Sequence, residues 1–196
     1  LSIVTIPASV TDIGLSAFSD CKGLTRVNFL GDAPIAGEEC FYAVTATGYY
    51  QSGTKGWTPT YYGLKMFGVA GDYIFTDNGT AVAITGYEGA GGAVTIPSTV
   101  GGKPVTSIGN GAFYGLTALT SVTIPSSVTR IGDTAFQGCI GLTSVTLPSK
   151  LTELGEGVFA GCDKLSAITI PSGLTALRTS VFFGCTDLST VTIPST

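Results

Sequence analysis

The chain has 196 residues and a formal charge of −4, from nine Lys and Arg against thirteen Asp and Glu, and only 11% of its residues are charged. That balance offers no basic patch for nucleic acid or an anionic membrane surface, and no apolar run approaches the ~20 residues of a membrane helix. Histidine is absent, which removes Ser-His-Asp and Cys-His nucleophile activation together with the His-containing zinc motifs.

The chain opens with LSIVTIPASVTDIGLSAFSDCKG at 1 to 23, and the same unit returns at 119 to 141, 142 to 164 and 165 to 187, with LSTVTIPST opening a further one at 188. Phe113, Phe136, Phe159 and Phe182 recur every 23 residues, as do Pro125, Pro148, Pro171 and Pro194. A fixed period of this length marks a repeat architecture, in which each unit is one rung that contacts only its neighbours. In the rung 119–141, Leu119, Val122 and Ile124 are expected to face inward and Thr120, Ser121 and Thr123 outward, on a strand ended by Pro125. Val128 and Ile131 carry a second extended stretch, Gly132 permits a bend, and DTAFQGC is read as one helical or 3₁₀ turn that inserts Ala135, Phe136 and Cys139. A lone rung buries too little to fold, so the strands are expected to stack into one long parallel sheet around a spine of Phe rings.

Residues 24 to 44 form a degenerate rung: Leu24, Val27, Phe29 and Phe41 keep their slots, Leu30 replaces the Pro, and Ile35-Ala36 shifts the inward residue by one. From 45 to 92 the repeat stops. The stretch TATGYYQSGTKGWTPTYYGLKMFG is rich in aromatic and turn residues, and in DYIFTDNGTAVAITGY the Asp77-Asn78-Gly79 step between alternating apolar runs is a hairpin signal. Asn78-Gly79-Thr80 also fits the glycosylation acceptor pattern, for which the hairpin reading is a sufficient explanation. Val94, Ile96 and Pro97 restart the array, and this rung carries five extra residues, read as the GGKPV loop at 101 to 105. The expected organisation is therefore the end of a first repeat run at 1–44, a non-repeat aromatic and hairpin segment at 45–92, and a second run at 93–196 that is cut in its last repeat.

Cys21, Cys139, Cys162 and Cys185 share one slot, three residues after the rung Phe, where Val44 and Leu116 also stand. A slot that takes Cys, Val or Leu is an apolar packing position, and the Cys139, Cys162 and Cys185 thiols are expected to be reduced and buried. Cys40 falls in the slot of Ala17, Ala112 and Ala135 and reads as core. The nearest carboxylate pairs, Glu153 with Glu156 and Glu38 with Glu39, sit at solvent-facing positions. No phosphate loop, cofactor motif or metal-ligand spacing is present, so catalytic, cofactor-binding and metal residues are all assigned as none.

The rung pattern Leu-x-x-Val-Thr-Ile-Pro followed by Val-Thr-x-Ile-Gly-x-x-Ala-Phe-x-Gly-Cys resembles the leucine-rich repeats of the BspA-like bacterial surface proteins. GGKPVTSIGNGAF is similar to that family's usual array opening, and VTATGYY with GWT to its usual array end. The resemblance covers nearly the whole chain. It implies a repeat solenoid of the leucine-rich-repeat type, mainly β with short helical or 3₁₀ turns and interrupted by a hairpin-containing segment. It also implies an extracellular, cell-surface location and adhesion to host or neighbouring-cell proteins or glycans, and it carries no catalytic residue. One local departure is Arg178, which stands where Gly14, Gly132 and Gly155 supply the bend, so the turn of the last complete rung does not follow from the repeat.

Two features are candidates for binding a partner. The first is the outward hydroxyl ladder of Thr123, Thr146, Thr169 and Thr192, flanked by Thr120, Ser121, Thr143, Ser144, Ser166 and Ser189; the plainer reading of it is ordinary strand solubility with β-branched residues. The second is the cluster Tyr49, Tyr50, Trp57, Tyr61 and Tyr62, fit to stack on sugar rings or anchor a protein, or else to cap the end of the first run. The functional reading is a non-enzymatic interaction module, and the alternative is a structural spacer with no ligand of its own. Leu1 and Thr196 both fall inside rungs, which predicts a native chain that extends beyond at least one end, with either weak self-association through the open repeat end or fraying of the last rung.

Overall fold

The computed structural model describes residues 1–193; Pro194, the last member of the proline ladder, and the Thr196 end lie outside the described residues. The chain divides into two units, Leu1–Asp77 and the part from Asn78 onward, each a run of β-solenoid with strands and turns only among the described residues.

In the first unit, β1 (Ile3–Ile6), β3 (Arg26–Phe29), β5 (Thr47–Gln51) and β7 (Leu64–Ala70) are stacked in parallel. The short strands β2 (Asp12–Ile13) and β4 (Ile35–Ala36) form a second ladder. The expected one-residue shift is absent: Ala36 is the Cα partner of Ile13 and is 6% exposed, so it keeps the inward slot of the 23-residue period, while Ile35 just before it is 72% exposed. Antiparallel pairing then ends the run: β6 (Thr60–Tyr61) turns back onto β7, and β8 (Tyr73–Asp77) returns along β7 across a two-residue Gly71-Asp72 turn.

The second unit has two parallel ladders. One joins β10 (Gly92–Thr95), β13 (Leu119–Thr123) and β15 (Ser144–Thr146). The other joins β9 (Val82–Tyr87), β12 (Lys103–Ile108), β14 (Arg130–Ile131) and β16 (Glu153–Leu154). The five extra residues after Pro97 make a hairpin, in which β11 (Thr99–Val100) pairs with β12 around Gly101-Gly102; the left-handed φ at both glycines is what a two-residue hairpin turn demands. Further on, β17 (Ala167–Thr169) and β18 (Thr190–Thr192) pair with each other as a separate sheet.

The inward residues of a rung are those read from the pattern: Leu119, Val122, Ile124, Val128, Ile131, Ala135, Phe136 and Cys139 are all buried. The spine is a column of stacked rings, with Tyr87, Phe113, Phe136, Phe159 and Phe182 at successive centroid separations of 5.4, 5.0, 5.7 and 5.9 Å. In the second unit each thiol of the Cys slot donates to the carbonyl of the preceding spine residue, Cys139 to Phe113 at 3.1 Å, Cys162 to Phe136 at 3.2 Å and Cys185 to Phe159 at 3.0 Å.

The segment around each spine Phe is where the structure corrects the sequence reading: it forms no helical turn. The residue two before the Phe has left-handed φ in every rung, at Ser16, Glu39, Gly111, Thr134, Gly157 and Ser180, and so does the residue two after it, such as Asp20, Ala43 and Gly138. A helix cannot propagate through alternating left-handed residues. Backbone donors therefore alternate. Phe136 N–H and Gly138 N–H donate forward to Val158 and Ala160 of the next rung at 2.9 and 2.8 Å, while Gln137 N–H donates back to Thr134 at 3.1 Å. This turn face is thus a third inter-rung ladder.

Arg178 ends the second ladder at β16. At the corresponding Gly155, an added Cβ would lie 2.5 Å from the Asp133 backbone nitrogen, and at Gly132 it would lie 2.7 Å from that of Asn110. Neighbouring backbones approach there so closely that only glycine fits. With Arg178 in the slot, residues 174–178 form no strand, and Leu177 is 42% exposed where the equivalent Leu154 is 1% exposed.

Candidate functional site

Parallel register converts the 23-residue period into rows across the strand face. Thr95, Thr123 and Thr146 are Cα partners, as are Ser121 with Ser144 and Thr169 with Thr192. Thr120, Thr123, Thr143, Ser144, Thr146, Ser166 and Thr169 are exposed, and Ser121 is half-buried. The rows differ in what their hydroxyls do. Thr143 Oγ1 donates to the Thr120 carbonyl at 3.0 Å and Ser189 Oγ to the Ser166 carbonyl at 3.1 Å, so that row reinforces the stacking of rungs. The Thr123, Thr146, Thr169 row has no comparable bond to the preceding rung, which leaves its hydroxyls to solvent or a partner.

This face is discontinuous. Among the described residues no ladder pair joins β15 to β17, and a cavity of ≈ 390 Å³ opens at that seam, lined among others by Val145, Thr146, Ile168, Thr169 and Thr192. No charged side chain lines it. Its floor is aliphatic and its rim is hydroxyl, a lining suited to an uncharged ligand.

In the first unit the five aromatic candidates separate. Trp57 stacks on Tyr50 at 5.3 Å and packs against Phe29 at 4.8 Å, with Tyr61 5.2 Å away. Tyr61 is buried, donates its hydroxyl to the Pro34 carbonyl, and has its phenol pushed up to about 12 by burial. Burial also raises the Tyr50 phenol. These three rings close the hydrophobic core of the first run. Tyr49 belongs to the opposite face of β5, where the Arg26 guanidinium lies 4.0 Å from its ring centroid and Phe67 stacks beside it at 6.1 Å. Tyr62 is exposed. A second cavity, of ≈ 490 Å³, lies in this unit beside Val10, Asp32, Ala33 and the exposed Ile35.

The groups with reactive potential are engaged in structure. Burial pushes the Cys139 thiol up to about 11 and raises Cys40, Cys162 and Cys185 as well, so the nucleophilic thiolate is suppressed. All five cysteines are free thiols; Cys139 and Cys162 are buried as expected, whereas Cys185, followed by only a partial rung, is half-buried. Glu153 is held between Arg130 at 3.0 Å and Arg178 at 3.8 Å. Among the described residues no group of His, Cys, Asp or Glu is placed to hold a metal ion, and no helix is long and apolar enough to cross a membrane.

Known proteins were compared with this geometry. No curated protein matches the chain. Among solved structures, a leucine-rich repeat protein from Bacteroides capillosus is 30% identical with a TM-score of 0.58, covering 66% of this chain and 99% of that one. The T. pallidum leucine-rich repeat protein TpLRR is 30% identical with a TM-score of 0.53, over 63% of this chain and 69% of that one. A leucine rich cell surface protein from Faecalibacterium prausnitzii is 25% identical with a TM-score of 0.52, over 100% of this chain and 60% of that one. Residues 1–51 and 93–196 match the BspA type leucine rich repeat region in six copies. With its inward Phe spine, its stacked strand ladders and this match over most of its length, the chain belongs to the BspA-type leucine-rich repeat family.

Proposed function

We propose that the chain is a non-enzymatic interaction module of a cell surface, which adheres to host or neighbouring-cell proteins or glycans through the exposed strand face of its second unit. The observation that carries this reading is the two in-register pairs Thr123–Thr146 and Thr169–Thr192, which open at Thr146 and Thr169 onto an uncharged cavity of ≈ 390 Å³. An extracellular setting is supported by the family and by the surface location of the F. prausnitzii relative. Five strands of three to five residues, at a spacing of ~4.8 Å and lengths of ~10–17 Å, make a face of roughly 240–410 Å², well under the ~800 Å² per partner of a standard stable interface. Single contacts are therefore weak, and affinity comes from many modules acting together.

The test is a screen of the chain, displayed at high density on beads, against panels of matrix proteins and glycans. Binding that disappears on Thr146→Asp with Thr169→Asp, while circular dichroism and melting are unchanged, supports the reading. Silence across both panels sinks it in favour of a stiff spacer, a role that the continuous ring spine of the second unit would also serve.

A further inference from the structure

Adjacent rungs of the second unit are normally joined three times. Rungs 119–141 and 142–164 share the β13–β15 ladder, the β14–β16 ladder and the turn-face bonds. Rungs 142–164 and 165–187 keep only the last of these. Gly157, Phe159 and Gly161 N–H donate to Thr179, Val181 and Phe183 at 2.9, 2.9 and 2.7 Å, and Phe159 stacks on Phe182 at 5.9 Å. β16 has no successor, because Arg178 replaces the glycine that close approach requires, and β15 is not bridged to β17. The two rungs are thus joined along the turn face and unjoined along the strand face.

The chemistry of the unjoined side follows from parallel pairing, in which alternate residues of a strand direct their N–H and C=O to opposite neighbours. Thr143 N–H is spent on the Thr120 carbonyl, so on β15 the odd-numbered residues face β13, and Ser144 and Thr146 face the seam. On the other side, Ser189 N–H donates to the Ser166 carbonyl and Ile170 N–H to the Thr192 carbonyl; the even-numbered residues of β17 face β18, and Ala167 and Thr169 face the seam. Two parallel strand edges therefore present their backbone groups to each other with no ladder between them and with Cα atoms within 8 Å, so that a further strand enters only if the seam widens, and the uncharged cavity spans β15, β17 and β18 on the face above them.

We propose that the seam between β15 and β17 is a slot for an extended polypeptide strand with the alternation of the chain's own rungs, hydroxyl residues outward and Val or Ile inward. The inference rests on the reading of this face as a binding surface and names its partner class. An inserted strand satisfies both edges at once, which is how strand addition gains its affinity. Its apolar residues extend the inward row of Val145 and Ile168, and its hydroxyls extend the row of Thr146 and Thr169. The neutral lining selects against charged strands. The turn face, still bonded and stacked, acts as the hinge on which the seam widens.

The probe is a synthetic peptide of residues 119–126, LTSVTIPS, with a second peptide carrying Asp at the Val122 and Ile124 positions as control. Hydrogen exchange on the full chain is followed at the amides of Ser144, Thr146, Ala167 and Thr169, alongside peptide binding by fluorescence polarisation. A Thr146→Cys, Thr169→Cys variant closes the seam with a disulfide, and its reduced form is its own folding control. The slot predicts faster exchange at these four amides than at Val145 in the free protein, and slowing of about tenfold or more with LTSVTIPS and not with the acidic peptide. It also predicts that the oxidised variant loses about tenfold or more in peptide affinity and regains it on reduction. Peptide binding indifferent to the disulfide, or no added protection at the four amides under saturating peptide, overturns the slot. Protection of the same amides by a neutral oligosaccharide and not by the peptide overturns it too. In either case, continued capture of panel ligands sensitive to Thr146→Asp leaves the binding face standing and removes only the strand.

Discussion

Replacing Phe159 with Ala removes the middle ring of the spine. Phe159 is fully buried, between Phe136 at 5.7 Å and an interplanar angle of 8° and Phe182 at 5.9 Å and 5°. The backbone bonds survive the change, since Phe159 N–H still reaches Val181 and its carbonyl still accepts from Cys185 Sγ at 3.0 Å; the loss is one of packing alone. Burial and cavity terms for such a site come to about 3–5 kcal/mol, of which two stacked ring pairs account for about 1–3 kcal/mol. The cavity cannot collapse without shifting the rungs out of register, which favours the upper part of the range. Phe182 is only partly buried, so Phe182→Ala is expected to cost about half as much by the same reasoning. Urea unfolding followed by circular dichroism, with hydrogen exchange to assign the transition to the second unit, measures both. A loss below about 1 kcal/mol at Phe159, or equal losses at Phe159 and Phe182, would refute an internal spine.

Three further outcomes are expected. Thr134 is a β-branched residue held at φ 55°, so Thr134→Gly should raise stability by about 1 kcal/mol in the same urea assay; a loss would mean that its side chain contributes more than its backbone strain costs. Gly155→Ala puts a Cβ 2.5 Å from the Asp133 nitrogen and should destabilise by about 1–3 kcal/mol, an expectation contradicted by unchanged melting. The Cys139 thiol rises from 9.0 to about 11 because it is buried. The folded state thus holds that proton more tightly than the unfolded state, and the contribution is complete below pH 9.0 and lost as pH rises through about 11. Unfolding midpoints across that window should fall less steeply in Cys139→Ala, and rapid labelling of Cys139 and Cys162 in the native protein would contradict their burial.

Most of the rung was legible because its determinants are local and periodic. The Phe interval gave the spine and the tolerance of one slot for Cys, Val and Leu marked it as core, whereas the apolar Ile35 suggested a shifted inward residue that the register of Ile13 with Ala36 rules out. The turn face was not legible. Its left-handed slot holds Ser16, Glu39, Thr134 and Ser180 as well as glycine, so composition conceals a conformation imposed by the stacking of neighbours. Gly71-Asp72, which turns β7 into β8, was passed over because its flanking run shares its aromatics with the cap. The aromatic cluster reads as one group in sequence, yet alternation along β5 sends Tyr50 to the core and Tyr49 to the opposite face. The β15–β17 seam has no signature in either strand, since LTSVTLP and LSAITIP both fit the repeat. Arg178 marks in the sequence only the end of the other ladder, at β16.

The binding face itself is tested most directly by photo-crosslinking from defined positions. A benzophenone side chain is placed singly at Thr123 and Thr169 on the strand face and at Gln137 and Tyr114 on the turn face, and each variant is irradiated with whatever ligand the panels identify. Crosslinks confined to Thr123 and Thr169 are the predicted result. Equal or stronger crosslinking from Gln137 or Tyr114, with the strand-face positions silent, would contradict it and move the partner to the turn face.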